Sequence, residues 1–172
     1  PARVCGEVIQ SPFDDAEALA ELARSCDVIT YEFENVPVGA LRQIEGRIPV
    51  YPPVDALRHA QDRLDEKRLF DRLEIPLPGY RAVDTRQDLV DAIASLGLPL
   101  VVKTRRLGYD GKGQFVVRDA GQVDSAWDAL GGTPLIAEAW VPFDYEVSCI
   151  GVRSVDGEIA IYPLGRNVHE AG

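Results

Sequence analysis

The sequence predicts two units of different fold class, a parallel α/β segment followed by a smaller α+β lobe. Three observations carry this. Short apolar runs alternate with helical patterns as far as Tyr51, and the run Ile75-Pro76-Leu77-Pro78-Gly79 interrupts every periodic pattern. Beyond it, a basic glycine loop lies between two β-branched runs, and an Asp156-Gly157 turn separates two more. Strands alternating with helices argue for a parallel sheet, and strands joined by tight turns for antiparallel pairing. The expected boundaries are residues 1–75 for the first unit with its linking helix and 76–172 for the second.

In the first unit, Val4 to Ile9 alternates loosely as a short strand, and Asp14 or Asp15 caps a helix through Ala16, Leu19, Ala20, Leu22 and Ala23. Asp27 to Tyr31 is the next strand. Tyr31-Glu32-Phe33-Glu34-Asn35-Val36-Pro37 ends it and starts a helix, with Asn35 as cap and Pro37 in the first turn. That helix ends near Gly46, and Ile48 to Tyr51 forms another strand. After Pro52-Pro53 one long helix is expected from about Val54 to Leu73, with Leu57, Leu64, Phe70 and Leu73 on its apolar side. Its Asp62, Arg63, Asp65, Glu66, Lys67 and Arg68 read as a solvated charged face.

In the second unit, Thr85 caps a helix with Asp88 at the third position, Leu89, Val90, Ile93 and Leu96 form its buried stripe, and Gly97 stops it. Leu100 to Val102 and Phe115 to Val117 are strands around the glycine loop. A helix near Gln122 to Leu130 ends at Gly131-Gly132, and Pro134 to Trp140 is a strand. Tyr145 to Val152 and Glu158 to Tyr162 pair across Asp156-Gly157.

Composition narrows the function. A chain of 172 residues with 46% hydrophobic content can bury an ordinary core. No apolar run approaches the roughly 18 residues of a membrane span, and Pro1 to Gln10 lacks signal-peptide regions, so the cytoplasm is expected and no membrane partner. Cys5, Cys26 and Cys149 are far apart and in no metal-like spacing, which fits reduced structural thiols. A formal net charge of -10 repels nucleic acid and favours a nucleotide over a polymer.

Against that acidic background, four of the 18 basic residues, Lys103, Arg105, Arg106 and Lys112, cluster around Gly108, Gly111 and Gly113. Glycines let backbone N–H groups turn toward one point, which suits phosphate, although a glycine loop between strands is also an ordinary hairpin. It is not a Walker loop, because Gly113 is followed by Gln114 and a strand rather than by Ser or Thr opening a helix. Glu138 and Glu146 follow, around Trp140-Val141-Pro142-Phe143. Alone they read as exposed strand-end carboxylates. Beside a phosphate loop, a carboxylate can accept from ribose and an apolar strand end can wall adenine.

Taken together, Tyr31-Glu32-Phe33-Glu34-Asn35-Val36-Pro37, Asp62-Arg63 with Lys67, Lys103-Thr104-Arg105-Arg106 leading into Gly108-Tyr109-Asp110-Gly111-Lys112-Gly113-Gln114, and Tyr162-Pro163 with Asn167-Val168-His169 resemble 5-(carboxyamino)imidazole ribonucleotide synthase. This is an ATP-grasp family of purine biosynthesis, and the resemblance spans nearly the whole chain in one order. It implies part of an N-terminal parallel α/β (pre-ATP-grasp) domain followed by a small α+β ATP-grasp lobe. It also implies that Arg63, Lys103, Gly108, Tyr109, Asp110, Gly111, Lys112, Gly113, Gln114, Glu138, Ala139, Trp140, Val141, Glu146 and His169 bind ATP. Lys103 would hold phosphate, Glu138 to Val141 would form the adenine hinge, and Glu146 would accept from ribose.

The implied activity is an ATP-dependent carboxylation of 5-aminoimidazole ribonucleotide with bicarbonate, by an enzyme that uses Mg2+ and forms a homodimer. The family's N-terminal glycine-rich turn and the C-terminal lobe that bears its magnesium acids have no match here, so this chain is expected to be incomplete for catalysis. Leu107 stands where the family often has another glycine and should stiffen the start of the loop. Two alternatives stay open: a non-catalytic nucleotide-binding fragment, and another ATP-grasp ligase such as a biotin carboxylase.

Overall fold

The computed structural model describes residue 4 and residues 6–108 and 112–168. Cys5, Tyr109, Asp110, Gly111 and His169, named above, lie outside the described residues.

The first unit is built on a parallel pair, β1 (Ile29–Thr30) and β2 (Val50–Tyr51), with Ile29 beside Val50 and Thr30 beside Tyr51. Parallel pairing needs a crossover, and α2 (Val38–Arg42) lies within it. Before β1, α1 (Ala16–Ser25) is capped by Asp15, whose carboxylate accepts from the N–H groups of Glu17 and Ala18 at 2.9 and 3.1 Å. Ile29, Val36, Leu41, Ile44, Ile48 and Val50 form the core with Val54 and Leu57 of α3 (Val54–Ala60).

Three expectations for this unit are corrected. Residues 7–10 form no strand and are exposed. Asn35 caps nothing, because Pro37 occupies the position before α2 and no side chain bonds there. The helix stops at Arg42, short of Gly46, and continues as turns such as Gln43 N–H to Ala40 O at 3.1 Å and Arg47 N–H to Ile44 O at 2.8 Å.

The expected long helix is two helices. α3 ends at Ala60 and α4 (Arg63–Arg72) begins after Asp62, whose carboxylate accepts from Leu64 N–H at 2.9 Å as an N-cap. A capping aspartate leaves the helical backbone, and Asp62 does so at φ -126° and ψ 113°.

The second unit is a four-stranded antiparallel sheet in the order β3-β6-β4-β5, with β3 Tyr80–Val83, β4 Leu100–Thr104, β5 Gln114–Val117 and β6 Leu135–Ala139. Residues directly paired across a ladder share a face, and neighbours along a strand alternate. One face therefore carries Val83, Leu100, Val102, Val117, Leu135 and Ala137, and these pack on Leu89 and Ala92 of α5 (Arg86–Leu96) and on Val123 and Ala126 of α6 (Val123–Leu130). The capping box of Thr85 and Asp88 forms as expected, and Gly97 ends α5 at φ 79°. The other face carries Tyr80, Glu138 and Val101 in one row and Ala82, Ile136, Lys103 and Gln114 in the next.

Beyond the sheet, the single strand expected over Tyr145 to Val152 is two strands in different sheets. β7 (Glu146–Ser148) pairs with β10 (Gly165–Asn167), and β8 (Gly151–Arg153) pairs with β9 (Ile159–Ile161) across the expected turn. There Gly157, at φ 89°, donates to Ser154 O at 3.1 Å. No residue from 140 to 168 is buried.

Candidate functional site

The register of β4 puts Lys103 on the face away from the helices α5 and α6, one residue before the loop. Both ends of that loop close on Thr104, whose N–H donates to Gly113 O at 2.8 Å. A Cβ on Gly108 would lie 2.8 Å from Thr104 Oγ1, and one on Gly113, at φ 72°, would lie 2.7 Å from it. Both positions therefore exclude any side chain. Leu107 sits at φ 63° with its side chain largely exposed, a left-handed conformation that burdens a residue with a Cβ.

The loop is anchored from α4. Arg63 Nη2 donates to Gly108 O at 2.7 Å, and Arg63 N–H to Arg105 O at 3.0 Å. Arg105 in turn grips the Asp62 carboxylate, and Arg106 Nη2 bonds Gln61 Oε1. Burial pushes the Asp62 carboxyl up, but the Arg105 guanidinium and the N–H groups of Leu64 and Asp65 outweigh it and hold the group below the usual carboxylate range. Gln61 is buried, and its Nε2 donates to Glu34 O at 2.7 Å and Val36 O at 2.6 Å. The break between α3 and α4 thus ties the Glu-Phe-Glu-Asn-Val-Pro segment to the basic loop.

At the centre of this face is Glu138, buried rather than the exposed strand-end carboxylate its sequence position suggested. Lys103 Nζ lies 2.9 Å from its Oε2, and Lys67 Nζ lies 3.4 Å from its Oε1. Lys67 is likewise no solvated charge, since its side chain is 14% exposed. The signal for it is helical spacing: Arg63, Glu66 and Lys67 fall on one side of α4. Burial raises the Glu66 carboxyl, Lys67 and Arg63 pull it back, and Glu138 and Glu34 push it up.

Ala139 and Trp140 lead away from Glu138, with their N–H groups donated to Gly79 O at 2.8 Å and Pro99 O at 3.3 Å. The Arg118 guanidinium stands 5.8 Å from the centre of the Trp140 ring, within cation–π range. Val141 O accepts from Phe143 N–H at 3.0 Å. Glu146 belongs to the separate β7–β10 pair, opposite Asn167, whose Nδ2 donates to its Oε1 at 2.7 Å. Lys103, Gln114 and Glu138 therefore share one face of the sheet, while Gly108, held by Arg63, and Gly113 close around the Thr104 side chain. Cys26 and Cys149 are free thiols, as expected, and both are exposed rather than packed in a core. Among the described residues no group of three or more His, Cys, Asp or Glu could hold a metal ion.

Comparison with known families matches residues 1–61 to the ribonucleotide synthetase pre-ATP-grasp domain and residues 68–172 to the ATP-grasp domain. The chain belongs to the ATP-grasp family. This ATP-grasp chain is 46% identical over 167 residues to N5-carboxyaminoimidazole ribonucleotide synthase of Pseudomonas aeruginosa, covering 97% of this chain and 46% of that protein. It superposes on the crystal structure of N5-carboxyaminoimidazole ribonucleotide synthetase from Thermus thermophilus with a TM-score of 0.90 at 47% identity, over 99% of this chain and 46% of the other. A synthase from Aspergillus clavatus, crystallised with ADP and 5-aminoimidazole ribonucleotide, matches with a TM-score of 0.83 at 31% identity, over 92% of this chain and 41% of the other. The ATP-grasp chain thus spans under half the length of the relatives it matches.

Proposed function

We propose that this chain is the nucleotide-binding part of a 5-(carboxyamino)imidazole ribonucleotide synthase. The enzyme would convert 5-aminoimidazole ribonucleotide, bicarbonate and ATP to 5-(carboxyamino)imidazole ribonucleotide, ADP and phosphate in purine biosynthesis. One observation carries the reading: Lys103 lies on the face of the sheet opposite α5 and α6, beside the buried Glu138 and one residue before a loop whose Gly108 carbonyl Arg63 holds.

In this reading Lys103 and the loop from Gly108 to Gln114 hold the phosphates, Glu138 to Val141 line the adenine, Glu146 accepts from the ribose, and Arg63 and His169 complete the site. Phosphoryl transfer of this kind depends on positioning and charge neutralisation. A bicarbonate oxygen attacks the γ-phosphorus as its bond to the bridging oxygen breaks, so ADP leaves and carboxyphosphate forms. The exocyclic amine then bonds the carboxyl carbon, the C–O bond to phosphate breaks, and the amine loses a proton. Magnesium bound with ATP supplies further neutralisation of phosphate charge. Among the described residues no group of three or more His, Cys, Asp or Glu is placed to hold it. No described helix is long and apolar enough to cross a membrane, and we propose a cytoplasmic homodimer.

The test is ATP titration by calorimetry. A charged hydrogen bond to phosphate contributes roughly 1.5–3 kcal/mol, so Lys103→Ala should weaken ATP about ten- to a hundredfold. Equal affinity in a folded variant would refute the reading.

A further inference from the structure

Glu138 carries a lysine on each carboxylate oxygen, and the two come from different elements, Lys103 from β4 and Lys67 from α4. Two lysines thus share this one buried carboxylate, and Glu66 interacts with Lys67 and Glu138 as well. The two lysines differ in setting: the Lys67 side chain is 14% exposed and that of Lys103 is 27% exposed. Three other cations near the loop have partners of their own. Arg63 is on Gly108 O, Arg105 on Asp62 and Arg106 on Gln61.

We infer that Lys67 is a positioning residue for nucleotide binding: by holding Glu138, it releases Lys103 to exchange the carboxylate for a phosphate. The inference rests on the reading of Lys103 as a phosphate contact. Its physical basis is the burial of Glu138. A buried carboxylate that loses its only counter-charge is strongly destabilising, whereas one that keeps a second lysine is not. With Lys67 present, Lys103 moves from one anion to another at little penalty. Without Lys67, each phosphate contact made by Lys103 strands a buried charge. In the nucleotide-free protein Glu138 therefore occupies the phosphate's lysine, and Lys67 makes that occupancy reversible.

The experiment titrates ATP against the full chain as wild type, Lys67→Met, Lys67→Arg, Glu138→Gln and the Lys67→Met/Glu138→Gln double variant. Lys67→Met should weaken ATP about tenfold or more, and Lys67→Arg, which keeps the charge, should stay within about threefold of wild type. In the Glu138→Gln background the loss caused by Lys67→Met should shrink below about twofold, because no carboxylate remains to be served. A loss of equal size in both backgrounds would make Lys67 a direct nucleotide contact or a structural residue and overturn the inference, as would no loss at all. If Lys67→Met has no thermal transition, the comparison is read on Lys67→Gln, whose uncharged amide should weaken ATP to the same degree. Lys103→Ala, run in parallel, separates the two readings. If it binds ATP as wild type does, the phosphate reading fails and this inference with it. If it is weakened while Lys67→Met is not, this inference alone fails.

Discussion

Arg105 grips Asp62 through two parallel hydrogen bonds, Nε to Oδ1 at 2.9 Å and Nη2 to Oδ2 at 2.6 Å, across a sequence separation that no local pattern reports. The same carboxylate starts α4 by accepting from Leu64 N–H, so one side chain both breaks the helix and fastens the basic loop to it. Their side chains are 13% and 19% exposed for Asp62 and Arg105, which keeps the pair from being screened as a surface bridge would be.

Asp62→Ala should therefore destabilise the chain by about 3 kcal/mol, through an unpaired guanidinium and a lost cap. Denaturant unfolding monitored by circular dichroism measures this, and a loss under about 1 kcal/mol would reduce the pair to a surface contact. The folded-state carboxyl is held below its unfolded value, so the pair's contribution is complete above about pH 4 and disappears as pH falls through the lower folded value. Wild type and variant should converge in stability in that acid window.

Leu107→Gly should stabilise the chain. Leu107 at φ 63° bears a left-handed penalty of about 1–2 kcal/mol and its exposed side chain buries little, while glycine returns part of the gain as unfolded-state entropy. A net gain of about 0.5–1 kcal/mol is expected from the unfolding midpoint. A loss of stability would mean that the Leu107 side chain packs in a way its exposure does not suggest.

Glu66→Gln should stabilise the chain at neutral pH and leave it unchanged in acid. Burial raises the Glu66 carboxyl, so the folded state binds its proton more tightly than the unfolded one, and stability falls as pH rises from the unfolded value through the folded value. The amide cannot ionise and escapes that decline. Unfolding midpoints compared at pH 4 and pH 8 decide it, since a variant less stable than wild type at pH 8 would make the charged Glu66 a net favourable partner of Lys67 and Arg63.

By itself the sequence determined the elements whose signals are local. The Thr85 and Asp88 capping box, the stop at Gly97, the Asp15 cap and the Asp156-Gly157 turn all formed where read, because each is satisfied by atoms within a few residues. The glycine loop between strands was legible for the same reason, as was the resemblance carried by its motif. The tertiary structure alone decided the break between α3 and α4, because the Gln61 amide reaches Glu34 and Val36 carbonyls and the Asp62 carboxylate reaches Arg105. It also decided which of the many charges of α4 are buried. Lys67 and Glu138 are far apart in the chain, and only the antiparallel register of β6 against β3 and β4 turns Glu138 toward the helix that carries its second lysine. A charged side chain on an amphipathic pattern looks solvated until a partner of opposite sign is packed against it, and that partner is set by sheet order rather than by sequence spacing.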